Sequence, residues 1–356
     1  MATTNNSNAT SMYSSSNDVT FAGYYSLLMV IIGTIFNLLI FIVLCRARFR
    51  NAQVRSTIHY IRAIAMIDFL GLYGWTLDNY FGIVYGFTLT SSYTIASCKF
   101  FLFFNYFTLH ISAWLHVFVC FDRYLVLSRL NPNTWFNQSK NVLIMIGCII
   151  GFFFLFNFHI LLFVCYQDIN GQINTNSKLY ILYPLYHRIH LCVYNLIPSF
   201  FIILFNGISV YHLYRLRRTT SIQNSQVRHR SISITLIITS ILFVIMRTPS
   251  SINYAFFYGS LYATDWGLHL IYAIDIIQYT FPILNLPIYL ITFTEFRYEL
   301  MSSITRRRGR MMAPTNIEVM KRPAEHIGLS IRSNRTHLQS KTVLSNQNNL
   351  TMRTEK

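Results

Sequence analysis

Acidic residues are scarce: the 356-residue chain holds 12 Asp and Glu against 29 Lys and Arg, and only 12% of its residues are charged. Soluble domains carry about 25%, so this composition cannot clothe a water-soluble globule. Glycine and proline are also few, at 14 and 8, which excludes collagen-like and Pro/Gly-rich low-complexity architectures. Enzyme signatures are missing. There is no Gly-x-Ser-x-Gly, P-loop or Gly-x-Gly-x-x-Gly motif, the patterns that mark nucleophile elbows and phosphate cradles. His59, His110, His116, His159 and His269 fall singly on different apolar segments, without metal-ligand spacing. The chain therefore reads as a non-enzyme without a metal centre. It also lacks visible internal repeats, a feature of many transporters.

What the chain has in abundance is apolar sequence, with 53% hydrophobic residues and 16% aromatics and a mean hydropathy of +0.39. A helix crosses the hydrocarbon of a bilayer with roughly 20 mostly apolar residues, because its backbone polar groups are bonded within the segment. Seven such stretches are expected, at 22–45, 58–82, 94–121, 141–164, 188–213, 231–258 and 268–292. The expected fold class is an all-α membrane protein, a seven-helix bundle preceded by a polar tail over residues 1–21.

Orientation follows from positive charge, which short cytoplasmic loops retain. Arg46, Arg48, Arg50 and Arg55 fall in the first connection, Arg215, Arg217, Arg218, Arg228 and Arg230 in the fifth, and Arg306, Arg307, Arg308 and Arg310 after the last segment. The alternate connections hold little beyond Lys99, Lys178 and Arg188. The amino terminus is thus expected outside and the carboxyl terminus inside a plasma membrane. The net charge of +17 suits anionic cytoplasmic lipid rather than nucleic acid. The first 20 residues lack the regions of a cleavable signal peptide, so targeting is expected to rest on the first helix. Asn5 and Asn8 open glycosylation sequons on the outer side. Beyond about residue 311 the chain is polar, basic and poor in aromatics, which predicts a disordered tail whose Ser and Thr hydroxyls are candidates for phosphorylation.

Of the six cysteines, Cys45, Cys120, Cys148 and Cys192 lie in or at the ends of apolar stretches, where a thiol behaves as a small hydrophobe. Cys98 and Cys165 both fall on the oxidising outer side. A disulfide between them is the expectation, with two free cysteines as the alternative.

A series of motifs runs through the segments in order. The first holds Asn37 and the second Asp68, in Ile64-Ala65-Met66-Ile67-Asp68; the third ends in Asp122-Arg123-Tyr124, with Cys98 at its start, 25 positions before Arg123. The fifth contains Pro198, the sixth Phe243 and Pro249, and the seventh Asn285-Leu286-Pro287-Ile288-Tyr289, followed by Phe293-Thr294-Glu295-Phe296-Arg297. In this order and spacing the chain resembles the rhodopsin-like G-protein-coupled receptors over roughly residues 22–305. The resemblance implies a seven-helix receptor with a short amphipathic eighth helix over 293–305. Asp122, Arg123, Tyr124, Pro249, Asn285 and Tyr289 would form its switch and G-protein contact. Asn37, Asp68, Ser112 and Asn285 would form an intramembrane polar site able to hold a sodium ion, the one candidate cofactor; a polar packing knot without an ion is the alternative. Implied partners are an extracellular ligand, a heterotrimeric G protein, arrestin, a receptor kinase and the lipid bilayer.

The departures are informative. Arg247 stands two residues before Pro249, where the family has Trp, and the usual Trp of the fourth helix is missing. An arginine within a membrane segment demands a partner, so pairing with Asp68 or Asp275 is expected, with snorkelling as the alternative. Pro287 follows Asn285 by two, which shifts the expected bend of the last helix. Asn105, 18 positions before Arg123, replaces the aspartate of monoamine receptors, and Tyr279 replaces the retinal lysine of opsins. Asp78, Asn105, Tyr106, Asn253, Asp275 and Tyr279 are the candidate ligand contacts. Two carboxylates, Asp78 and Asp275, among aromatics suit a cationic group such as a peptide arginine. The long polar-aromatic stretch after Cys165 resembles the hairpin lid of peptide receptors. A neuropeptide ligand, of the kind bound by invertebrate FMRFamide-like receptors, is the expectation. A chemosensory receptor for small molecules and a seven-helix transporter or channel are the alternatives.

Overall fold

The computed structural model describes residues 17–46, 55–90, 94–128, 138–169, 171–174, 183–219 and 224–311. Chain contacts divide the protein into Met1–Gly309 and Arg310–Lys356, and the helical bundle belongs to the first unit. The sequons at Asn5 and Asn8, and the tail beyond residue 311, lie outside the described residues.

Helices account for nearly all of the described chain. They are α1 (Asn17–Leu44), α2 (Arg55–Gly71), α3 (Leu77–Tyr85), α4 (Ile95–Leu127), α5 (Ser139–Phe163), α6 (Tyr183–His190), α7 (Ile197–Thr219), α8 (Asn224–Ile252), α9 (Tyr258–Tyr262), α10 (Asp265–Thr292) and α11 (Thr294–Met311). Widened π-helical turns join α2 to α3 (Leu72–Thr76), α6 to α7 (Leu191–Leu196) and α8 to α9 (Asn253–Phe257). Each pair therefore follows on as one helical run, the α2–α3 run being kinked at Gly74, whose backbone leaves the helical range. Between α5 and α6, β1 (Tyr166–Gln167) pairs antiparallel with β2 (Ile173–Asn174), Tyr166 opposite Asn174.

Among the described residues six helical runs are long and apolar enough to cross a membrane: Thr20–Leu44, Ile95–Leu127, Ser139–Phe163, Arg188–Arg215, Ser231–Tyr262 and Asp265–Thr292. The run from Arg55 to Tyr85 is as long but less apolar, because His59, Arg62, Asp68 and Asp78 interrupt it. The expectation of seven spans therefore meets six that satisfy length and apolarity, plus one helical run diluted by polar groups. Large apolar side chains such as Leu155 and Ile291 are 73% and 76% exposed. Faces of this kind are costly in water and cost nothing in lipid, so the chain is membrane-embedded in character.

The helix α4 lies at the centre. In its most apolar window 72% of residues are buried, against 28% in α5, and it packs on α2, α5, α7 and α8. Thr94 and Ser97 form a reciprocal capping box at its start, with Ser97 N–H donating to Thr94 Oγ1 at 3.0 Å and Thr94 N–H to Ser97 Oγ at 3.1 Å. Such a box satisfies two orphan donors and fixes where the helix begins, and Cys98 follows in its first turn. Gly74, in the turn between α2 and α3, lies so close to α4 that a Cβ there would collide with Asn105. Helix α10 runs without a break through Pro282 and Pro287.

Candidate functional site

The structure joins Cys98 to Cys165 in a disulfide with Cα atoms 6.2 Å apart. The bond ties the start of α4 to the segment that leads into the β1–β2 hairpin. Three polar centres then follow along the helices.

The first is a cavity of about 640 Å³ between the hairpin-side ends of the helices, lined by Trp75, Asp78, Tyr106, Asp275 and Tyr279 among others. That volume falls within the range of small-molecule sites. Asp275, on α10, accepts hydrogen bonds from Tyr254 OH at 2.8 Å and Ser250 Oγ at 3.2 Å. Asp78 is committed elsewhere: its carboxylate accepts from Leu89 N–H and, at 3.0 Å, from Thr90 Oγ1. It therefore closes the end of α3 onto the following turn. Of the expected ligand contacts, Asp78, Tyr106, Asp275 and Tyr279 line this cavity. Asn105 does not; it faces a smaller one. Asn253 lines neither cavity, and its side-chain oxygen and nitrogen are buried without a hydrogen-bond partner.

The second centre is that smaller cavity, about 30 Å³, bounded by Asp68, Ser112, Asn105, Arg247, Gln278 and Tyr279 among others. Its size admits one or two waters. Ser112 Oγ donates to Asp68 Oδ1 at 2.9 Å and Asn285 Nδ2 to Asp68 Oδ2 at 3.1 Å. Residues 44 and 217 positions away in sequence thus meet on one buried carboxylate. Asn37 is close in the fold but not on the carboxylate; its Nδ2 donates to Gly33 O at 2.9 Å and Pro282 O at 3.3 Å. It clips α1 to α10.

The expected pairing of Arg247 with Asp68 or Asp275 is not found. No ion pair joins them, and the guanidinium lies 5.4 Å from the centre of the Phe281 ring, a cation–π contact. Asp68 takes its hydrogen bonds from Ser112 and Asn285, and Asp275 from Ser250 and Tyr254, with the guanidinium held on the ring face instead. Nor does Arg247 snorkel, since it is only 6% exposed. Its Nε is left without a hydrogen-bond partner. Beneath it Phe281 packs edge-on against Phe243 at 5.5 Å, and Phe243 stacks on His116 at 4.7 Å.

The third centre lies near the other end of α4. Arg123 donates through its Nη2 to Asp122 Oδ2 at 2.9 Å, and Thr57 Oγ1 of α2 donates to the same oxygen. Both charged residues are buried, Arg123 to 1% exposure. Thus α2 and α4 share one carboxylate. Tyr124 stacks on Phe205 of α7 at 6.0 Å. Tyr289 is buried against Phe296 at 5.8 Å. Pro249 sits inside α8, on the turn that carries Arg247 and Ser250.

One cluster escaped the sequence reading, which treated the histidines as isolated. His190 Nδ1 lies 3.2 Å from His110 Nε2, and His190 stacks on Tyr194 at 5.0 Å and edge-on against Tyr106 at 4.8 Å. His159 meets Tyr186 at 4.8 Å. The signal was present as two i, i+4 pairs, Tyr106 with His110 and His190 with Tyr194, each on one helical face. No group of three or more metal-ligating side chains occurs among the described residues.

No protein-family model matches the chain, and no curated protein matches it.

Proposed function

We propose that the chain is a rhodopsin-like G-protein-coupled receptor that converts extracellular ligand binding into activation of a heterotrimeric G protein. In this reading the seven membrane helices are α1, the α2–α3 run, α4, α5, the α6–α7 run, the α8–α9 run and α10. Helix α11 is the amphipathic eighth helix on the cytoplasmic face, and the amino terminus is extracellular. One observation carries most weight: Asp68, Ser112 and Asn285, on α2, α4 and α10, converge on one carboxylate. On the same α2 and α4, Asp122 holds Arg123 with the help of Thr57. A membrane protein buries ionisable groups at cost, and two such centres on the same helices fit a conformational switch better than packing alone.

The switch works by differential affinity. A ligand in the large cavity favours one arrangement of α8 and α10 over another, and it shifts the equilibrium by that difference alone. In the resting arrangement Asp122 retains Arg123; in the active one the arginine is released toward the G protein. The carboxylate-bearing cavity and the hairpin above α4 fit a peptide ligand. The basic connection between α7 and α8 fits the acidic and anionic partners met at a cytoplasmic membrane face, and the tail offers hydroxyls to a receptor kinase and hence to arrestin.

The test is second-messenger output from surface-expressed protein challenged with amidated neuropeptides and with small odorants, beside Arg123→Ala. A peptide response absent in Arg123→Ala supports the reading, and a response to odorants alone moves it to a chemosensory receptor. Ligand-gated current or flux that persists in Arg123→Ala would replace it with a channel or transporter.

A further inference from the structure

Asp275 is 3% exposed and lines the large cavity, yet its carboxylate meets only two neutral hydroxyls, Tyr254 and Ser250. An ionised carboxylate can accept about four hydrogen bonds, and one buried without a cation is costly. Among the described residues no cationic side chain forms an ion pair with it. Asp78 on the opposite wall is different, because Leu89 and Thr90 take up its oxygens. Tyr194, only 2% exposed, also lines the cavity, and its hydroxyl is within reach of the Arg247 guanidinium.

We propose that Asp275, and not Asp78, is the docking point for a cationic ammonium or guanidinium group of the ligand. The inference rests on the receptor reading for what the ligand does, and it narrows the ligand class to cations. The aromatic walls, including Trp75, Tyr254 and Tyr279, suit such a group because ring faces attract cations. The donors to Asp275 come from α8 and the turn that follows it. A cation that draws the carboxylate toward the cavity therefore weakens the tie between α8 and α10.

The test measures binding on full-length protein in lipid nanodiscs, without G protein. The probes are N-acetyl-arginine benzylamide and its citrulline counterpart, which keeps the shape and drops the charge. Wild-type protein is expected to bind the arginine probe at least about tenfold more tightly than the citrulline probe. In Asp275→Asn that preference should fall to near unity, whereas Asp78→Asn should retain it. Tyr254→Phe removes one competing donor while keeping the ring, so the preference for the arginine probe should rise; this variant stands in if Asp275→Asn does not fold. Equal binding, or no binding, of the two probes by wild type overturns the proposal. So does a preference that survives Asp275→Asn, or one that does not rise in Tyr254→Phe. Because no G protein is present, failure of signalling in cells leaves this result standing, and failure of the charge preference leaves the coupling reading untouched.

Discussion

Asp122 is held from two sides, by Arg123 on its own helix and by Thr57 of α2, so loosening it should free the arginine without removing it. Thr57→Val deletes one donor at nearly constant volume. A lost hydrogen bond to a charged group is worth about 1.5–3 kcal/mol, enough to raise a minor active state roughly tenfold or more. The expected outcome is raised second-messenger output without ligand in Thr57→Val and more so in Asp122→Asn, read against surface expression; unchanged basal output would separate this pair from the switch. Arg247 carries a different expectation. It is a fixed cation at the edge of the cavity that holds Asp68, so a sodium ion there would meet like charge. Thermal stability of the wild-type protein should be the same in sodium and in choline, and Arg247→Met should acquire a stabilisation by sodium. Sodium dependence already present in the wild type would contradict this.

Local constraints at helix ends position these residues. The disulfide closes a separation of 67 residues, and the chain-entropy account assigns such a loop up to about 4 kcal/mol. Cys165→Ser should therefore lower the thermal midpoint in a reducing-agent-independent way, while wild type loses the same stability on reduction. Gly74 makes a similar point in the α2–α3 turn, where a side chain would strike Asn105 of α4. Much of this was legible in sequence. Helix existence followed from long apolar runs. That Asp68, Ser112 and Asn285 meet is what the resemblance to rhodopsin-like receptors implies. The rest depended on side-chain direction, which periodicity does not carry. Whether Asp78 faces a ligand or its own following turn is decided by where Leu89 and Thr90 fold back. Likewise the placing of Arg247 on the face of Phe281, with Asp68 bonded to Ser112 and Asn285 instead, depends on directions that residue spacing does not give. Asn37 was placed near the right helix but reaches backbone carbonyls instead of Asp68.

Across the whole molecule, a cavity with one carboxylate available at its wall, a buried Asp68 centre and a restrained Arg123 are carried by the same few helices, with α4 passing all three. That continuity is what a receptor needs, because a coupling free energy between two sites requires an element that both of them bias. The most direct test reconstitutes the full-length protein in nanodiscs with purified heterotrimeric G protein and measures GDP–GTP exchange with and without an activating peptide found in the cellular screen. The account predicts peptide-stimulated exchange in wild type, its loss in Arg123→Ala with peptide binding retained, and raised peptide-free exchange in Thr57→Val. Exchange that is equally fast in wild type and Arg123→Ala, or unaffected by a peptide that demonstrably binds, would contradict it.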